Sequence, residues 1–512
     1  MSSMAGTSRR RRGSWRAATA IACVALVGLA ACSSSSGKAQ SPPATTEPPV
    51  TTTRPSGPAA DLSTPLTGGQ GVSIGEGTPP DLPHEHYVQR EYAAAGTATS
   101  YKVEGALTPD GRWTFTPDTT AAYRTRVLVR APSNPAKFSG TVVVEWLNVS
   151  GGTDADPDWV SLEEEIVRAG DIWVGVSAQR LGVEGGPVAV KVQGVPGAEK
   201  AGLGLKGIDP ARYGTLNHPG DGYAFDIYTQ VARSLRTGAA LGGLHPKRLI
   251  AAGESQSAFA LVTYYNGVEP LAHAFDGYFV HSRGGTSLPL VTGTTGADIA
   301  GAISGKPTIM RTDQHAPVLD IQTETDVSSV LDSYVARQPD TDRFRLWEVA
   351  GTAHADAHLV GPTNVKYIDC GVPVNNGPMH IVAKAALRAL TTWITTGKAP
   401  VVAPRIDMAP GATPQVVRNA DGIAMGGIRT PPVDVPVAAL SGAPGPNPAV
   451  ICLLLGSTKP FTSARLAQLY PSRAAYLKQY QAAVDATIRA GFALPEDRAA
   501  LVAFAQPSVV QG

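Results

Sequence analysis

The chain reads as an α/β fold: a mostly parallel central sheet with helices on both faces, an N-terminal β-meander and a C-terminal helical extension. Short apolar runs alternate with segments whose apolar residues recur at helical spacing, the pattern of βαβ steps. β-branched runs separated by turn residues gather ahead of residue 147, where sequential antiparallel strands are the simplest reading. The third observation is residues 248–267, RLIAAGESQSAFALVTYYNG. There a buried-strand run passes into a helical pattern through Gly253-Glu254-Ser255-Gln256-Ser257.

At the N-terminus, Arg9 to Arg12 and Arg16 precede an uncharged, mostly apolar stretch from Ala17 to Ala31, and Cys32 follows. A basic start and an apolar stretch too short for a comfortable membrane span predict a secretory signal over residues 1–31. Leu29-Ala30-Ala31-Cys32 resembles the bacterial lipobox. Cys32 is therefore the expected lipidation site, and the expected localisation is the cell envelope, exported and lipid-anchored. Residues 32–70 are rich in Ser, Pro and Thr; with few large apolar side chains they read as a disordered tether. Residues 71–512 are long enough for one large domain, with an insertion at 281–314 and an extension at 401–512. Lys+Arg number 43 against 42 Asp+Glu, a net charge of +1, which gives no electrostatic case for nucleic acid. Of the four cysteines, Cys23 leaves with the signal and Cys32 carries lipid. Cys370 and Cys452 remain and, in an exported protein, are expected to be bridged, which is worth roughly 4 kcal/mol on the chain-entropy model.

Within the domain, residues 84–101 read as an entry segment. Trp113 to Phe115, residues 124–129 and Thr141–Trp146 read as strands, the last apolar enough to be central. Asp156 as N-cap and Pro157 in the first turn open a helix through Val167. Residues 171–177 form the next buried strand. Residues 202–207 match G-x-G-x-x-G, but no strand precedes them and Asp209-Pro210 blocks a following helix, so no dinucleotide site is expected. Tyr223, Ile227, Val231 and Leu235 mark the helix before the strand at 249–252. Residues 274–280, 317–322 and Phe344–Val349 are later strands. The stretch 281–314, rich in Gly, Thr and Ser, is where lid and pocket loops are inserted. Helical spacing returns at Ala383, Leu387, Leu390 and Ile394, and again at Leu477, Tyr480, Val484 and Ile488.

A strand that turns sharply into a helix through G-x-S-x-(small) lifts a serine hydroxyl clear of the sheet and aims a helix N-terminus at it. Ser255 is the candidate nucleophile. The flanking residues must be small because the two backbones nearly touch, a demand Gly253 meets fully and Ser257 in part. The bland alternative is an ordinary turn with a capping serine, so the partners decide. Asp326 lies past the end of one late strand and His354 in the loop after the next, giving the chain order Ser, Asp, His. Serine is a poor nucleophile until an imidazole takes its proton, and the imidazole needs a carboxylate to fix its tautomer. Glu324 is a rival acid and His358 a rival base; Asp326 is favoured because it lies further past the strand end. Residues 147–152 follow a central strand where an oxyanion donor belongs, so the backbone amides of Val149 and Gln256 are assigned that role. No metal motif such as H-E-x-x-H occurs, and no cofactor is expected.

The blocks VVVEWLNVSGG, DPARYGTLNHPGD, AAGESQSAFAL, VLDIQTETDV, RLWEVAGTAHAD, YPSRAAYLKQY and AGFALPEDRAAL are similar to those of a bacterial family of α/β-hydrolase domain proteins, many of them exported. The resemblance runs from about His84 to the C-terminus. It implies the α/β-hydrolase fold, a serine triad of Ser255, Asp326 or Glu324, and His354, and a segment after Pro400 that belongs to the same unit. It implies no substrate. The expectation is a lipid-anchored serine hydrolase cleaving a small-molecule or lipid carboxylic ester through an acyl-enzyme. Acyl transfer to an alcohol on the same triad would make an envelope acyltransferase. A binding or scaffold lipoprotein on a hydrolase fold is the reading from another class, against which the intact Ser/Asp/His set argues. Oligomeric state has no signal in the sequence.

Overall fold

Strand periodicity sorts the core into two layers. In β4 (Thr141–Trp146) and β6 (Arg248–Glu254), Val142, Val144, Trp146, Leu249 and Ala251 face one layer while Val143, Ile250 and Ala252 face the other. The first layer is closed by the helices Ala224–Arg236 and Gln256–Thr263, the second by Pro157–Ala169 and Met379–Thr396. Apolar side chains at alternate positions can be buried on both faces only if helices cover both. The computed structural model describes residues 56–511 apart from Gln193, Ser329, Ala412 and Thr413. The signal segment, Cys32 and residues 32–55 of the expected tether lie outside the described residues.

The main sheet has nine strands. With β1 (Asp61–Pro65), β2 (Tyr87–Glu104), β3 (Thr114–Pro132), β5 (Ile172–Val176), β7 (Gly277–His281), β8 (Val318–Thr323) and β9 (Phe344–Val349), the order is β1-β2-β3-β5-β4-β6-β7-β8-β9. β5 through β9 pair in parallel, and β1, β2 and β3 add an antiparallel meander beyond β5. After β4 the chain steps to β5 on one side and then to β6 on the other. The carboxyl ends of β4 and β6 thus meet at a switch point, where open α/β sheets leave a crevice.

Four sequence expectations need correction. Residues 84–101 are mostly not an entry segment but most of β2, paired along its length with a single nineteen-residue β3 that joins the two short strands expected there. The tether does not extend to residue 70: Asp61–Pro65 pairs with β2, Leu62 and Leu66 are buried, and Ser234 Oγ and Gln230 bind the backbone of Ala60. Two leucines spaced to face the core outweigh the polar composition around them. The insertion begins after His281, which ends β7. And Asp156 holds the N-cap position ahead of Pro157 as expected, but its side chain does not cap the helix Pro157–Ala169. Its carboxylate binds Arg130 at 2.6 Å, while Glu145 from β4 accepts the amides of Asp158 and Trp159, both at 2.9 Å. The orphan amides of the first turn are satisfied from the sheet instead.

Arg130 lies between the rings of Trp159 and Trp173, 4.6 and 4.7 Å from their centroids. Arg126, fully buried, binds Asp154 at 2.6 Å, Glu91 at 3.2 Å and Ser177 Oγ at 3.0 Å, tying β2 and β3 to the loop after β4. The C-terminal extension folds onto the same body. Its helix Arg473–Arg489 contributes Tyr476, Tyr480 and Val484 to a core shared with Ile381. Cys370 and Cys452 form a disulfide across 82 positions. Among the described residues no helix is long and apolar enough to cross a membrane. Because removing one partner strands buried charge, Arg126→Met is expected to cost about 3–5 kcal/mol, measured as the shift in a urea unfolding midpoint. A loss under ~1 kcal/mol would mean the network is no better than a surface pair.

Candidate active site

β6 ends at Glu254, and the helix Gln256–Thr263 begins two residues later, leaving Ser255 alone to make the turn. Its φ of 58° and ψ of −120° lie where a non-glycine residue is strained by about 1–3 kcal/mol. The reason is proximity: a Cβ at Gly253 would come within 3.0 Å of the Ser257 backbone. The Ser255 amide is fixed to His281 O on β7 at 2.9 Å.

The hydroxyl of Ser255 lies 2.8 Å from His354 Nε2, and His354 Nδ1 lies 2.7 Å from Asp326 Oδ1. His354 stands in the loop after β9 and Asp326 in the turn after β8, so the ends of β6, β8 and β9 supply the three side chains, with β7 lying between the first two. Asp326 is held by a capping box: its Oδ2 accepts the Thr323 amide at 2.6 Å while its own amide donates to Thr323 Oγ1. With Nδ1–H donated to Asp326, Nε2 faces the serine as an acceptor, so the imidazole is placed to take the hydroxyl proton. The two rivals are engaged elsewhere. Glu324 accepts the amides of Gly351 and Gly442 at 2.8 Å each and pairs with Arg418 at 2.6 Å. His358 stacks on His380, 3.8 Å between centroids, and donates to Val160 O.

The loop after β4 is tied to this turn. Asn148 Nδ2 donates to Glu254 O at 3.0 Å. The Val149 amide donates to the side-chain Oε1 of Gln256 at 3.2 Å, so one of the two amides assigned to an oxyanion is bonded to the side chain of the residue that carries the other. The Gln256 carboxamide also donates to Gln179, which takes Trp146 Nε1 at 2.9 Å.

Glu254 escaped the sequence reading. It is buried; its Oε1 lies 3.4 Å from His354 Nε2 and has no hydrogen-bond partner among the described residues. Burial pushes its carboxyl up to about 7, against the opposing pull of His354 and His281. In the His354 imidazole, burial works against the charged form, but the carboxylates of Glu254 and Asp326 outweigh it and raise the ring to about 9. Behind Glu254, His281 Nδ1 binds Asp158 Oδ1 at 2.9 Å, with burial holding that imidazole low. The available signal was an ionisable residue closing an otherwise apolar strand, LIAAGE. Among the described residues no group of three or more His, Cys, Asp or Glu could hold a metal ion.

The serine opens on a cavity of about 250 Å³ whose walls are mainly apolar. Phe259 comes from the helix after the turn, Leu288, Ala302 and Ile303 from the segment between β7 and β8, and Leu453 and Leu454 from the C-terminal extension. Nothing in the local sequence marks that last pair as neighbours of Ser255.

A mostly parallel sheet with a serine at a strained strand-to-helix turn and an imidazole from a later loop defines an α/β-hydrolase. The chain belongs to a family described as alpha/beta hydrolase domain, whose model matches residues 52–503. Comparison with curated proteins finds no significant match. Among solved structures it is similar to fungal esterases from Rhizomucor miehei, at 11% identity over 59% of this chain and 86% of that one, TM-score 0.31. It is also similar to an a/b serine hydrolase without lid from Xanthomonas campestris, at 13% identity over 50% and 83%, TM-score 0.26. A third is an S-formylglutathione hydrolase from Agrobacterium tumefaciens, at 10% identity over 51% and 86%, TM-score 0.23.

Replacing Glu254 by Gln removes a negative charge that favours the imidazolium, so His354 should give up its proton at lower pH. The expected outcome is a downward shift of the His354 midpoint, by on the order of one unit, in NMR of histidine-labelled protein. An unmoved midpoint would show that the carboxyl does not act on the ring.

Proposed function

We propose that the protein is a serine hydrolase that cleaves carboxylic esters through an acyl-enzyme. The observation that carries this reading is the unbroken line from Asp326 through His354 to Ser255, with hydrogen bonds of 2.7 and 2.8 Å, ending on a strained serine beside an apolar cavity. Ser255 Oγ attacks the ester carbonyl carbon as its proton passes to Nε2 of His354, and Asp326 stabilises the imidazolium. The oxyanion is taken by the amides of Gln256 and Val149, the latter released as the Gln256 carboxamide turns aside. Collapse breaks the bond to the alcohol, which leaves with the proton from Nε2. Water then attacks the acyl-enzyme, His354 takes its proton, and the acid departs as Ser255 recovers its own. At the N-terminus the reading is export and lipid attachment at Cys32, on the signal-like residues before it, with the catalytic body held at the cell envelope.

A fluorophosphonate probe is expected to label wild type and not Ser255→Ala, and the same substitution should lower ester turnover by at least about 10⁴-fold. Turnover that survives it would remove the mechanism. Because the base must be neutral and its imidazole is raised to about 9, kcat/KM should climb with pH toward that value. A profile already flat from pH 6 would contradict an imidazole raised above its ordinary range. Metabolic labelling with a palmitate analogue should mark the full chain and be lost in Cys32→Ser; equal labelling of both would exclude this anchor.

A further inference from the structure

The apolar cavity beside Ser255 has a wall that the hydrolase core does not supply. Leu453 and Leu454 lie on the short helix Val450–Leu454 of the C-terminal extension. That helix is fixed at three points: the Cys370–Cys452 disulfide, the Ala355 amide on Leu454 O at 3.0 Å, and the Asn375 amide on Leu455 O at 3.0 Å. Ala355 is the residue after His354, so the wall is anchored to the same loop that carries the imidazole. Phe259, Ala302 and Ile303 line the same cavity. The only ionisable side chain lining the cavity, among the described residues, is His354 itself. A charged acyl group would be desolvated there with only Ser150, Gln256, Ser304 and His354 as polar neighbours. An apolar chain would be buried without penalty.

The space is also limited in volume. A methylene fills about as much volume as a water molecule, ~30 Å³, so 250 Å³ takes on the order of eight carbons.

We infer that the acyl group delivered to Ser255 is an apolar chain of medium length, about six to ten carbons, and that Leu453 and Leu454 set the length accepted. This rests on the serine hydrolase reading above and specifies the substrate class for it. Specificity is then decided by a segment nearly two hundred positions from the nucleophile. Its firm attachment makes it a ruler and not a flap.

The test is kcat/KM on p-nitrophenyl esters from acetyl to palmitoyl, with fluorophosphonate labelling run in parallel. In wild type, kcat/KM should rise roughly fourfold per added carbon to a maximum near octanoyl and fall beyond decanoyl. Leu453→Trp should lower the octanoyl-to-acetyl ratio by at least about tenfold, and Leu453→Ala should move the maximum to longer chains. Ile303→Trp, at another lining position of the same cavity, should shorten the preference as Leu453→Trp does, which covers the case of one variant failing to fold. An acetyl optimum in wild type, or ratios unmoved in folded variants, would overturn the inference while labelling of Ser255 left the hydrolase reading standing. Absence of labelling in wild type would instead remove the reading beneath it.

Discussion

The close approach of β6 to the helix that follows it governs this molecule. With Ser257 backbone atoms 3.0 Å from where a Cβ at Gly253 would sit, strand and helix leave one residue to reverse direction. That residue is driven to φ 58° and its hydroxyl is pushed out beyond the carboxyl edge of the sheet. The strain is sustained because everything around it is fixed: the Ser255 amide on β7, Asn148 on Glu254 O, and the fully buried strands β4, β7 and β8 nearby. The hydroxyl therefore meets His354 without any rearrangement of the main chain, and orientation is supplied by the fold before a substrate arrives.

How much of this could be read from the letters depends on how local each cause is. The parallel strands and the helices over them were legible because their apolar periodicity is a direct record of burial. Ser255, Asp326 and His354 were legible because each follows a strand and their order along the chain is constrained by topology. Choosing Asp326 over Glu324 from sequence alone rested on reach. The physical discriminator is the capping box at Thr323, which turns one carboxylate toward the imidazole, while Glu324 is consumed by two amides and Arg418. Asp156 looked like a helix cap because Asp before Pro usually is one. It was displaced by Glu145, a strand residue whose carboxylate reaches the same amides, once Arg130 had claimed Asp156.

Non-local features were not legible. Glu254 sits inside the motif that was read, yet its meaning comes from a loop a hundred residues later, which brings Nε2 to 3.4 Å. The bridge between Cys370 and Cys452 is expected from the sequence, but the wall made by Leu453 and Leu454 also depends on two backbone hydrogen bonds that no periodicity encodes. The strand Asp61–Pro65 was hidden by its polar setting, since two buried leucines among Ser, Thr and Pro give too weak a pattern to outweigh composition. In each case the deciding term is a contact between segments far apart in the chain.

Glu324 carries one more implication. Two of its partners, Gly442 and Arg418, belong to the last hundred or so residues, and Gly442 O also receives the hydroxyl of Thr325 at 2.8 Å. A shortened descendant lacking that region would keep every strand of the main sheet and all three residues in line at the serine. It would nonetheless leave a carboxylate without its counter-charge in a dry interior, next door to the turn that aims Asp326. The tail is thus joined, through Gly442 and Arg418, to the half of the chain that carries Ser255, Asp326 and His354.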